Sequence, residues 1–180
     1  MNNTIHSSDD FEGMRKAGNL AASTLDLLVE KVKPGVSTEE LDNIAFDYIV
    51  RHGGLIAPLF YKGYPKSVCT SINHVICHGI PSSRILENGD IVNIDVTVIV
   101  DGWHGDTSRM FPVGKINAKA QKLIDCTFHA MHEGINAAQP DATLGDIGHA
   151  IQSYAEAMRF SVVRDFTGHG LGQTFHCAPT

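Results

Sequence analysis

No pair of cysteines in this chain is spaced C-x-x-C, basic residues are not in excess, and no apolar run approaches the length of a membrane span. Each lack excludes something. Cys69, Cys77, Cys126 and Cys177 are scattered, which supports neither a zinc ribbon nor a thioredoxin-like pair and fits thiols kept reduced. Lysine and arginine number 14 against 20 aspartates and glutamates, a formal net charge of −6. Without a basic stripe there is nothing to neutralise a phosphate backbone, so a nucleic-acid partner is not expected. Apolar stretches fall short of the roughly 18 residues that cross a bilayer. The opening MNNTIHSSDD has no apolar signal-peptide core. A cytoplasmic protein with no membrane partner is the expectation.

What is present suits a soluble globular fold: 43% hydrophobic and 19% charged residues in 180, enough for one domain with a sizeable core. Residues 10–32 carry Phe11, Met14, Ala21, Leu25 and Leu28 at helical spacing, and the KPG at 33–35 stops the pattern. Ser37 precedes Glu40 by three, a capping-box signature, and opens a second helix with Leu41, Ile44, Tyr48 and Ile49 on one face. Residues 55–113 lose the helical period and read as β runs broken by KGYP, HGIP and NGD. Helical spacing returns at 117–138, stops at Pro140 and restarts after Thr143.

That second passage echoes the first. PGVSTEELDNIAFDYI (34–49) and PDATLGDIGHAIQSYA (140–155) align without gaps, Ser37 on Thr143 and Glu40 on Asp146. Any two capped amphipathic helices share features, but the order helix, proline break, capped helix, β segment favours an internal duplication. The halves are read as about 11–116 and 117–180 of one domain, at an offset of 106 residues (140 minus 34). A complete second half would run well past residue 200, so the chain is expected to be a fragment.

The stretch NIDVTVIVDGWHGDTSRM (93–110) reads as a hairpin turning at Asp101-Gly102. With that turn Asp106 lies opposite Thr97, and Asp95 lies one step diagonal on the same face, about 7–8 Å away at the backbone. Ile94, Val96, Val98 and Val100 take the other face. Two carboxylates so close repel unless a proton or a cation stands between them. A divalent metal and an exposed, solvated hairpin face both remain open on spacing alone, and a bulge would change the register. His169, between two glycines that permit close backbone approach, suits a ligand, but on its own it reads rather as a loop residue.

Three stretches together carry a resemblance: YKGYPKSVCTSINHVICHGIP (61–81), GDIVNIDVTVIVDGWHGDTSRMF (89–111) and TGHGLGQTFHCAP (167–179). They resemble the type I, bacterial-type methionine aminopeptidases of the pita-bread metallopeptidase family. The resemblance implies an α+β pita-bread fold of two pseudo-twofold helix–hairpin halves, the second incomplete here. It implies Asp95 and Asp106 as metal ligands, Asp106 bridging two ions, and His169 as the imidazole ligand. The metal would be Co, Mn, Fe or Zn, two ions per complete site. The family completes the site with two glutamates on strands nearer the C-terminus, so three of five ligands are expected here and the 180 residues alone should be inactive or nearly so. His78 would bond the substrate's amide region and His176 the scissile carbonyl. Tyr61, Tyr64, Cys69 and Phe175 would line a slot for the methionine side chain, though ordinary β-core roles also suit them.

The implied activity is removal of the N-terminal methionine from nascent polypeptides by a monomeric enzyme, with the ribosome as a further possible partner. His104 shares the aspartate face and is read as a rim residue; His6, His52, His74, His129, His132 and His149 are read as structural. The alternatives are a metal-free pita-bread protein-binding module, a proline-directed aminopeptidase of the same fold, a type II relative, and a chain that pairs with a separately supplied C-terminal piece.

Overall fold

The computed structural model describes residues 5–180. They form two compact units: the chain through Ile116 together with Gly168–Thr180, and Asn117–Thr167. The first unit holds helices α1 (Ser8–Leu28) and α2 (Thr38–Arg51) and strands β1 (Leu55–Ile56), β2 (Cys69–Ile72), β3 (Ile91–Val100) and β4 (Trp103–Pro112). All pairings are antiparallel. β3 runs through the middle, β4 lies along one side of it, and β1 and β2 share the other.

The turn sets the register. Asp101 (φ 51°) and Gly102 (φ 83°) are both left-handed, as a two-residue type I′ turn requires. Pairing then runs without a bulge from Val100↔Trp103 through Thr97↔Asp106 to Ile91↔Pro112. Residues alternate between the faces of β3. Val92, Ile94, Val96 and Val98 are fully buried and join one core with Leu25 and Leu28 of α1 and Leu41, Ala45 and Ile49 of α2. Burying each large aliphatic side chain contributes about 1.5–3 kcal/mol. The opposite face keeps Asp95, Thr97, His104 and Asp106. The periodicity reaching to residue 32 overshoots: α1 ends at Leu28, and Phe11, counted on its apolar face, is 46% exposed.

The helix starts show what local signals do. Ser7 accepts the Asp10 N–H while Asp10 accepts the Ser7 N–H at 2.8 Å, a closed capping box. At α2, Ser37 accepts from Glu40 N–H at 3.1 Å, but the expected return bond is absent. Ser37 is instead drawn into a β-bridge with Ile85, and the Thr38 and Glu39 amides donate to the carbonyls of Arg84 and Ser82 at 3.0 and 2.9 Å. Long-range pairing, not the box, fixes the entry of this helix.

One glycine sets the distance between α1 and the sheet. A Cβ on Gly105 of β4 would overlap the Ala17 carbonyl of α1. Backbone is the obstacle, so no rotamer change relieves it. Gly105→Ala should therefore cost about 1–3 kcal/mol or more, as overpacking does, read as a lower urea midpoint. An unchanged midpoint would show that α1 can lift without penalty.

The second unit is a helical hairpin of α3 (Ala118–Ala137) and α4 (Leu144–Ala157). Asn117 caps α3 by accepting from Ala120 N–H, and Thr143 with Asp146 closes a capping box at α4. Gly134 leaves room for Ile151 and Ile147 at the helix contact. None of the described helices is long and apolar enough to cross a membrane.

Candidate active site

The hairpin delivers Asp95 and Asp106 to one face. Thr97, directly opposite Asp106, donates its hydroxyl to Asp106 Oδ1 at 3.0 Å. The Asp95 carboxyl is pushed up to about 7, first by burial, then by the Asp106 charge and a hydrogen bond shared with it, with His169 pulling the other way. A carboxyl that holds its proton this firmly marks a place where a cation would be welcome.

His169 reaches the pair from the 168–180 segment. Its Nε2 lies 3.5 Å from Asp106 Oδ2, and its Nδ1–H donates to the Gly170 carbonyl at 3.0 Å. That bond places the proton on Nδ1 and leaves the Nε2 lone pair towards the carboxylates, the arrangement in which histidines bind metal. Of the two flanking glycines only Gly170 is needed for packing. A Cβ there would overlap the Ala178 carbonyl, across the bridge that Gly170 forms with Cys177, whereas nothing lies near Gly168.

His104 corrects an expectation. It is no rim residue: it is 8% exposed, and its backbone N–H and Nδ1–H both donate to the Gly172 carbonyl, at 2.9 and 3.0 Å. It also stacks on Phe175, ring centres 5.6 Å apart. β4 thus pins the segment that carries His169. The side chain faces the carboxylates in sequence, yet long-range closure of the loop buries it.

A cavity of about 440 Å³ opens over these groups. Asp95, Asp106 and His169 line it, as do His78 and His176 and all four proposed slot residues, Tyr61, Tyr64, Cys69 and Phe175. Tyr61 and Phe175 meet with ring centres 4.9 Å apart. The Tyr64 hydroxyl lies within reach of the Val68 and Gly79 carbonyls, at 2.9 and 3.1 Å, so its polar end is satisfied by backbone. Burial above all pushes the Cys69 thiol up to about 11, keeping it neutral and polarizable, a good surface for a thioether. His176 Nδ1 lies 3.0 Å from the Tyr61 hydroxyl, and its pKa is held below 6.5, first by burial and then by His169. His78 takes a left-handed φ of 56°, a conformation that costs a non-glycine residue about 1–3 kcal/mol. Beside it Gly79 pairs with β2, accepting the Thr70 N–H at 2.8 Å and donating to Ser71 Oγ at 3.1 Å.

One supporting residue carried no signal in the sequence. Asp42 of α2, 4% exposed, accepts the Ser67 and Val68 amides at 2.7 and 3.0 Å. It thereby holds the start of β2, where Cys69 lies. An aspartate on a helix reads as a surface residue, and only the folded chain shows what it meets.

The donor types fit a divalent metal: two carboxylates and an imidazole with its tautomer set. Asp106 stands between the other two, bonded to Asp95 on one side and near His169 on the other. Among the described residues no group of three or more His, Cys, Asp or Glu side chains is placed to hold a metal ion by itself, so the three are a partial donor set.

Comparison with known proteins decides the affiliation. The profile of metallopeptidase family M24 matches residues 12–180. The chain belongs to that metallopeptidase family. The methionine aminopeptidase of Rickettsia prowazekii is 58% identical over 176 residues, which cover 98% of this chain and 68% of that protein. The methionine aminopeptidase of Escherichia coli is 52% identical, covering 98% and 67%. The crystal structure of the Rickettsia prowazekii enzyme superposes with a TM-score of 0.97 over 98% of this chain and 71% of that one. The fold is therefore the pita-bread α+β fold, and this M24 chain is a metalloaminopeptidase on the methionine aminopeptidase branch, using a divalent metal.

Proposed function

We propose that the chain removes the N-terminal methionine from nascent polypeptides, at a site where Asp95, Asp106 and His169 hold divalent ions. The observation that carries this reading is the meeting of those three donors at a cavity whose other walls are aromatic and sulfur-bearing. Asp95, Asp106 and His169 are the residues that would hold such ions, and their donor types would accommodate Mn, Fe, Co or Zn alike. When bound, such ions supply Lewis-acid chemistry, activating water and polarising a carbonyl near neutral pH.

The chain's own residues do the rest. Tyr61, Tyr64, Cys69 and Phe175 take the methionine side chain, fixing which bond is presented. His78 bonds the amide region of the substrate. The Tyr61 hydroxyl donates to His176 Nδ1, which leaves the proton on Nε2 free to steady charge developing on the scissile carbonyl oxygen. Burial first, and then His169, lower its pKa, which favours the neutral imidazole. We place the activity in the cytoplasm, on monomeric protein, with chains emerging from the ribosome as substrate. Residues 11–116 and 117–180 are in this reading duplicated halves: the N-caps Ser37 and Thr143 stand 106 residues apart and each opens a 14-residue helix.

The test is methionine release from Met-Gly-Ser by the protein as produced in its cell, with Mn²⁺ or Co²⁺. Release from the free-amine peptide and none from its N-acetylated form is expected. Failure with both would favour the metal-free binding module, and preference for Xaa-Pro peptides would favour the proline-directed rival.

A further inference from the structure

The rim of the cavity carries a cation that the chemistry above leaves without a task. Among the described residues lining it, Lys62 is the only lysine or arginine. Its side chain is exposed, with Nζ 5.4 Å from the centre of the Tyr61 ring, a cation–π distance. Among the described residues no carboxylate lies within ion-pair reach of it, whereas Lys66, four residues on, is held by Glu39 at 2.7 Å.

The backbone beneath Lys62 is not slack. Phe60 and Lys62 are left-handed at φ 64° and 48°, a conformation that non-glycine residues avoid. The loop closes on itself: Phe60 N–H donates to the Tyr64 carbonyl at 2.7 Å, Tyr61 N–H to Pro58 at 2.9 Å and Gly63 N–H to Phe60 at 3.2 Å. The same loop aims Tyr61 at His176. The backbone from which Lys62 projects is therefore held at one edge of the site, with its ammonium over the Tyr61 ring.

On the aminopeptidase reading, a substrate held by its amine at the acidic floor and by methionine in the slot must send the rest of its chain out over the open side. We infer that Lys62 selects substrates with a carboxylate in the first few residues beyond the scissile bond, and so sets a preference for acidic over basic polypeptide starts. The pair would be exposed, so the effect is modest and screened by salt. It acts on substrate before and during reaction alike, and so falls on KM and not on kcat.

The experiment uses the metal-loaded protein as produced in its cell and two amidated peptides, Met-Ala-Asp-Gly-Ser and Met-Ala-Lys-Gly-Ser. At low salt kcat/KM should favour the aspartate peptide by about 1.5- to 5-fold, the range exposed ion pairs allow. The preference should fade in about 1 M salt, where the Debye length is about 3 Å. Lys62→Gln should flatten it and Lys62→Glu should invert it. Fluorescence anisotropy with dye-labelled peptides should give the same order without turnover. Met-Ala-Gly with a free or an amidated C-terminus distinguishes a terminal carboxylate from an acidic side chain as the group recognised. Equal handling of the two peptides by the unaltered protein, or a preference that survives Lys62→Gln, overturns the role of Lys62. Absence of both cleavage and binding for every peptide would overturn the aminopeptidase reading beneath it.

Discussion

Asp106→Asn is expected to yield a folded protein that neither retains divalent metal nor releases methionine. The substitution keeps the shape and one carbonyl oxygen, so Thr97 can still donate as it does to Oδ1 at 3.0 Å. It removes the charge and the second anionic oxygen from the residue that stands between Asp95 and His169. Residues that merely support metal ligands are worth about 10–100-fold in metal affinity or activity. A central ligand should exceed that, so metal affinity should fall by more than about 100-fold and turnover below detection. Metal content after dialysis and kcat/KM are the measurements. Normal loading would remove Asp106 from the site.

The same variant should be more stable than its parent when both are metal-free and the pH is neutral or higher. The sign follows from proton binding. The folded Asp95 carboxyl holds its proton up to about 7, against an ordinary value of 3.8, partly because Asp106 is beside it. Between those values the folded state binds more protons than the unfolded one, so stability falls as pH rises through that window and stays lower above it. Neutralising Asp106 removes one cause of the elevation, and each pKa unit recovered is worth about 1.4 kcal/mol. Metal-free melts at about pH 8 should favour the variant, and the difference should shrink towards about pH 4. Added metal should raise the melting temperature of the parent alone. The carboxylate pair thus destabilises the empty site, and a bound cation relieves it.

How much of this could be read beforehand follows from the range of each interaction. The hairpin was legible because its cause is local. Asp101-Gly102 accepts two left-handed residues, and every pair from Ile91↔Pro112 to Val100↔Trp103 follows from that turn. The break at Pro140 and the capped restart at Thr143 were legible for the same reason. What was missed depends on chain segments far apart in sequence. Gly105 looked like any strand glycine until α1 crossed it. His104 looked like part of an open polar face until Gly172, 68 residues on, closed over it. Asp42 acts on amides 25 and 26 residues away. Ser37 lost its reciprocal cap to a bridge with Ile85. Local periodicity registers none of these encounters.

His176→Ala is expected to lower kcat by about 100- to 1,000-fold, the range for removing one donor to a developing oxyanion, while changing metal affinity far less. The geometry separates the two effects. His176 lies against His169, ring centres 4.3 Å apart, yet its Nδ1 is engaged by the Tyr61 hydroxyl at 3.0 Å. Its ring also packs between Tyr61 and Phe175, at 5.2 and 4.2 Å, so truncation will loosen the slot and raise KM somewhat. Tyr61→Phe is the control. It keeps the ring against Phe175 and removes only the hydroxyl that orients the imidazole, so it should cost roughly the 0.5–1.5 kcal/mol of one hydrogen bond. That loss should fall on kcat with KM nearly unchanged. If His176→Ala instead strips the metal as Asp106→Asn does, His176 is a ligand and the carbonyl must be steadied by another group. If neither variant affects kcat, the stacked imidazole is only a wall of the slot.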